Sequence, residues 1–183
     1  MRSEVNSRLR RPGRSRDCAT ASVAEVTASE IHRLRADQLE EIAELLSDLA
    51  TAQKGWMNLL PVIPEEIVVP DTPGVLAVFS KRGPVVPMAT WTAPTPAKSG
   101  RLTPSEIGVM HGHAGKVKEL LLTEQILPAD WRVLQDNARR GLVLQPGDHA
   151  TLVQVAEFLV GVTRRLCRVP ISDQVDCAVY HPK

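Results

Sequence analysis

Six consecutive residues, His111-Gly-His-Ala-Gly-Lys116, concentrate the residue types from which a binding site is built. Two imidazoles at i and i+2 on extended backbone point the same way and could be half of a metal site, but spacing supplies no third ligand, so no metal is expected. Gly112 and Gly115 let the backbone approach a ligand closely, and Lys116 adds a positive charge. The apolar pattern downstream marks a helix, whose first N–H groups are free to face an anion. The stretch is no Walker A loop, because Met110 stands five residues before Gly115 and Val117 replaces the Ser or Thr. His111, Gly112, His113, Gly115 and Lys116 are therefore the candidate anion- or phosphate-contacting residues. A plain strand-to-helix turn would use the same glycines, and only a bound anion separates the two readings.

A second cluster, Arg132, Arg139 and Arg140 around Asn137, lies in a hairpin pattern and is the candidate contact for an acidic partner. No Gly-x-Ser-x-Gly elbow accompanies the serines, so a hydrolase triad is unsupported. Glu65-Glu66 after Pro64 reads as the first turn of a short helix, where acidic residues suit the dipole. Three Trp, one Tyr and two Phe leave no strand with the paired aromatics of an RNA-stacking sheet.

Gly112-His-Ala114 sits where the acyl-CoA-dependent N-acyltransferase superfamily carries its Gly-x-Gly/Ala pyrophosphate loop. Residues 30–51 resemble that family's opening strand and helix, and the resemblance spans residues 30–126. Val109 occupies the place of the family's Arg or Gln, and two hairpin strands follow where a strand and a helix belong. The resemblance implies acetyl-CoA binding only if the loop's backbone N–H groups are free. Apart from that reading, no cofactor is expected.

The elements that must position these residues follow from periodicity. Residues 30–34 alternate and read as a short strand. From Asp37, Leu39, Ile42, Leu46 and Leu49 fall on one helical face, with Asp37 and Glu40 spaced as a capping box and Gly55 as the C-terminal stop. Prolines between Trp56 and Gly74 argue against long regular structure there, although the segment is apolar enough to lie on the core. Residues 75–80 and 85–91 read as a hairpin, its second strand at an edge or bulged because Pro84 and Pro87 cannot donate to a ladder. Residues 106–110 form a strand and 116–126 a helix. Residues 131–135 and 141–145 form a second hairpin, 149–167 a long helix capped by Asp148, and 174–180 a last strand. The whole is α+β: an antiparallel-rich sheet of two hairpins plus single strands, carrying an N-terminal helix and two more.

Composition bounds the rest. The chain has 183 residues, 43% of them hydrophobic, and a formal net charge of +1, which fits one globular domain and neither a wholly basic nor an acidic solvating protein. The charge is uneven. Residues 1–16 hold six Arg and one Glu, so residues 1–24 are expected to be a disordered arm ahead of a domain over 25–183. That arm is the candidate for nucleic-acid contact. Cys18, Cys167 and Cys177 form neither a disulfide framework nor a zinc ribbon, and no apolar run is long enough to span a bilayer. The expectation is a cytoplasmic binding or interaction module rather than an enzyme, with a protein partner or self-association and no membrane.

Overall fold

Hydrophobic side chains recur at every second position through most of the seven short segments that become strands, and at three- and four-residue intervals in two longer ones that become helices. The computed structural model describes residues 30–69 and 83–182. In order the elements are β1 (Glu30–Arg35), α1 (Leu39–Ala52), β2 (Trp56–Pro61), β3 (Met88–Thr92), β4 (Glu106–Met110), α2 (Lys118–Thr123), β5 (Arg132–Asn137), β6 (Gly141–Gln145), α3 (Leu152–Leu166) and β7 (Gln174–Tyr180). The strands form one sheet in the order β1-β7-β2-β3-β4-β6-β5, and every neighbouring pair is antiparallel. This is the α+β architecture read from the pattern.

The alternation sends Met57, Leu59, Ala89, Trp91, Ile107, Val109, Leu142, Leu144, Val175 and Cys177 to one face. There they meet Ile42, Leu46 and Leu49 of α1, Leu121 of α2 and Val155, Phe158, Leu159 and Val162 of α3 in a single apolar cluster. The opposite face carries Trp56, Asn58, Leu60, Thr90, Gly108 and Tyr180, with Trp56 and Tyr180 stacked at 5.1 Å between ring centroids.

Several local expectations need correction. Gln38, not Asp37, holds the N-cap position of α1, and neither side chain caps it: Asp37 is drawn off by the Arg35 guanidinium at 2.7 and 3.0 Å, and Gln38 accepts from the Arg35 N–H. Gln53, in the left-handed region at φ 51°, ends that helix ahead of Gly55. Residues 56–61, which the prolines argued against, are an interior strand, because Pro61 stands at its last position and the other prolines lie beyond it. Similarly, β3 is no edge. It begins at Met88, after Pro84 and Pro87, so neither costs a ladder bond, and it is paired on both sides by β2 and β4.

Residues 75–80, its expected hairpin partner, lie outside the described residues, as do the 1–24 arm and Cys18. Glu65-Glu66 forms a turn closed by the Ile67 N–H on the Pro64 carbonyl, not a helix. Thr151, not Asp148, caps α3, exchanging hydrogen bonds with Gln154 in a full capping box. Cys167 and Cys177 are free thiols, and burial pushes the Cys177 thiol up to about 12. Among the described residues no helix is long and apolar enough to cross a membrane.

Leu46 and Leu159 are both fully buried in the shared cluster. Truncating either to Ala leaves a cavity and should lower unfolding free energy by about 2–5 kcal/mol. Denaturant titration measures this, and losses below ~1 kcal/mol would show that the helix faces are wrongly assigned.

Candidate functional site

The stretch 111–117 leaves the end of β4 and enters α2, and three contacts fix its path. The first is a crossing of backbones. A Cβ on Gly112 would lie 2.6 Å from the Pro84 carbonyl oxygen, and one on Gly83 would collide with the His111 carbonyl. Gly112 is thus required for packing. Gly115 has open space around it and no positive φ, so nothing in its conformation demands glycine.

The second contact is a carboxylate. Asp136, near the end of β5, accepts hydrogen bonds from the Val117 N–H with both oxygens at 3.1 Å and from the Lys118 N–H at 3.0 Å. These are the helix-start donors that were expected to face an anion. The protein's own carboxylate already satisfies them, and the helix they begin is only six residues long. Third, Arg168, just past α3, reaches the Gly112 carbonyl through Nη1 at 3.4 Å.

His111 is buried, and its Nδ1 accepts from the His113 N–H at 3.3 Å. The ring proton therefore sits on Nε2, which has no partner among the described residues. Burial, and secondarily the nearby His113, holds its pKa below the ordinary histidine value, with Asp136 opposing. His113 is half-buried, its ring edge-on to that of His111 at 6.1 Å. Its pKa is likewise lowered, by burial first and then by Arg168 and Arg165. Among the described residues no three or more His, Cys, Asp or Glu gather as metal ligands.

The structure joins part of the second cluster to the first. Asp136 precedes the β5–β6 turn, where Asn137 Oδ1 accepts from the Arg139 and Arg140 N–H groups at 2.9 and 3.1 Å. Arg139 and Arg140 thus sit in the turn that follows the residue whose carboxylate holds the Lys118 amide, and Lys116 is exposed two residues before that amide. The guanidiniums of Arg139 and Arg140 and the Lys116 ammonium have no carboxylate partner among the described residues, while Lys118 lies loosely near Glu119 at 3.9 Å. Arg132 is not brought in: it pairs with Gln145 at the far end of β5, roughly 16 Å away at ~3.3 Å per residue.

Sequence reasoning missed Asp136, Arg165 and Arg168. The only signal for the last two was a cluster of arginines at the end of a helix, where they suit the dipole.

The acyltransferase resemblance required free loop amides. Within the loop the His113 amide is engaged by His111, and just beyond it those of Val117 and Lys118 are engaged by Asp136, while those of Ala114, Gly115 and Lys116 make no hydrogen bond to a described residue. Comparison with protein-family models, curated proteins and solved structures finds no match for this chain.

Two outcomes test this geometry. Gly112→Ala should destabilise the fold by more than ~2 kcal/mol, since the methyl meets backbone, whereas Gly115→Ala should be neutral or slightly stabilising. Equal effects would contradict the backbone crossing. The depressed histidine pKa values also set a sign: the neutral form is favoured in the folded state, so stability is full above pH ~6.5 and falls as pH drops below it. Melting temperature should therefore fall between pH 7.5 and 5.5, less so in His111→Leu. An unchanged wild-type value across that range would refute the buried, unpaired imidazole.

Proposed function

We propose that this chain is a binding module that recognises an acidic segment of a protein partner on the rim formed by Lys116, Arg139 and Arg140. One observation carries the reading. Asp136 ties the backbone that follows Lys116 to the strand end that leads into Arg139 and Arg140, so exposed cations from two distant segments are anchored at one backbone contact. The rim is held by main-chain contacts on both sides, so its charges are presented without the ordering cost of a floppy loop. Rim charges of this kind chiefly raise association rate and select partners by sign.

The reading favours protein over nucleic acid because the segments that carry the rim, residues 111–118 and 135–141, contain no Phe, Trp or Tyr on which a base could stack. Acetyl-CoA, under the alternative transferase reading, would have to displace Asp136 to use the amides of Val117 and Lys118.

Fluorescence anisotropy with a labelled poly-glutamate peptide, an oligonucleotide of equal charge and unlabelled acetyl-CoA as competitor tests this. The peptide should bind with an affinity that falls as salt rises, Lys116→Ala should weaken it about 2–5-fold, and Arg139→Glu with Arg140→Glu should abolish it. Peptide binding indifferent to the double reversal would overturn the proposal. Tighter binding of the oligonucleotide at physiological salt would transfer the rim to nucleic acid, and competition by acetyl-CoA would favour the transferase reading.

A further inference from the structure

At the other end of the loop a different set of cations crowds together. Arg165 lies in the last turn of α3 and Arg168 just past its end, and both are exposed. Arg165 is bound by Glu124, at the end of α2, through Nε and through Nη2 at 2.7 Å. Arg168 spends one Nη1 contact on the Gly112 carbonyl, and its remaining N–H groups have no partner among the described residues. Next to Gly112 comes His113, half-buried, whose ring makes no hydrogen bond to any described residue. Arg168 is thus bonded to the carbonyl just before His113, Arg165 and Arg168 both act electrostatically on that imidazole, and the one carboxylate paired with them neutralises only Arg165. With His113 protonated, two positive charges remain uncompensated, one on Arg168 and one on the imidazole.

Resting on the reading of this loop as a recognition surface, we infer that His113, Arg165 and Arg168 form a site for a tetrahedral dianion of the phosphate or sulfate type. A dianion balances the two residual charges. Its four oxygens also accept from a guanidinium fork, a second guanidinium edge and a ring N–H arriving from different directions, which a planar carboxylate does less well. The site uses side chains only. It leaves Asp136 on the helix amides and is distinct from the Lys116, Arg139 and Arg140 rim. The shared chemistry covers free inorganic phosphate and a phosphoryl group on a partner peptide.

The charge balance fixes a proton linkage. The groups acting on His113 are His111, just past β4, Arg165 in the last turn of α3 and Arg168 just past it; Glu124, just past α2, is paired with Arg165, and Lys116 lies three residues along the loop. Arg165 and Arg168 disfavour the imidazolium, and an anion seated between them reverses that, so binding takes up a proton. Sulfate, which stays dianionic from pH 5 to 8, should therefore bind tighter at low pH.

The test is histidine side-chain NMR of the full chain titrated with sodium sulfate at pH 5.5 and 7.5. The His113 ring signals should shift saturably, with several-fold tighter binding at pH 5.5. Arg168→Ala, with its fold checked by the backbone spectrum, should weaken binding at least tenfold. His113→Gln should retain weak binding without the pH dependence. Arg139→Glu with Arg140→Glu should keep sulfate binding while losing the acidic peptide, so the two readings fail separately.

No saturable His113 shift, an unchanged affinity in Arg168→Ala, or loss of sulfate in the Arg139/Arg140 double reversal would overturn the site. Given sulfate binding, a phosphoserine peptide that outcompetes inorganic phosphate assigns the dianion to a partner. Equal competition by the two assigns it to the free ion.

Discussion

One carboxylate organises this molecule's recognition surface. Asp136 accepts from the backbone of Val117 and Lys118, tying the start of α2 to the end of β5. Unpaired amides at a helix start are a standing demand for negative charge, and here the demand is met from within. The loop before α2 is consequently a fixed bridge between the β5–β6 turn and the end of α3. The amides at the helix start are occupied by Asp136, so the positive charge left for a ligand at this end of the loop is that of side chains. That is why both proposed contacts are made by Lys, Arg and His and not by main-chain N–H groups.

The glycine crossing complements that carboxylate. Gly83 and Gly112 let two backbones pass where side chains could not, which brings His111 down into the apolar layer and leaves His113 half-exposed beside Arg168. Two histidines only two residues apart are thereby given different environments. His111 is a buried group whose protonation opposes folding. His113 is an accessible one whose protonation an anion would reward. On the β1 side, by contrast, Arg33 is paired with Asp176 and Arg35 with Asp37.

The sequence carried much of this where local pattern dictates structure. β4, β6 and β7 follow directly from alternation, and α3 from its three- and four-residue spacing, because each buries one face on the same core. β2 and β3 were harder. Their pairing joins segments separated by a long connection, and prolines that merely flank the strands look, in sequence, as though they break them. The loop itself was legible from its density of Gly and His. Its chemistry was not, since Asp136 lies 19 residues from Val117 and Arg168 lies 56 from Gly112, and no local rule connects such positions. The amides marked as an anion site in the sequence are satisfied by a residue whose own context suggested only a hairpin turn.

The central claim is that anions meet this loop through side chains while Asp136 stays on the amides. Amide proton shifts and hydrogen exchange at Val117 and Lys118, followed with and without saturating sulfate, measure it directly. The account predicts that both amides stay protected and unshifted while the His113 ring and Arg168 guanidinium signals move. Sulfate-induced shifts and lost protection at Val117 and Lys118, with His113 and Arg168 unmoved, would contradict it.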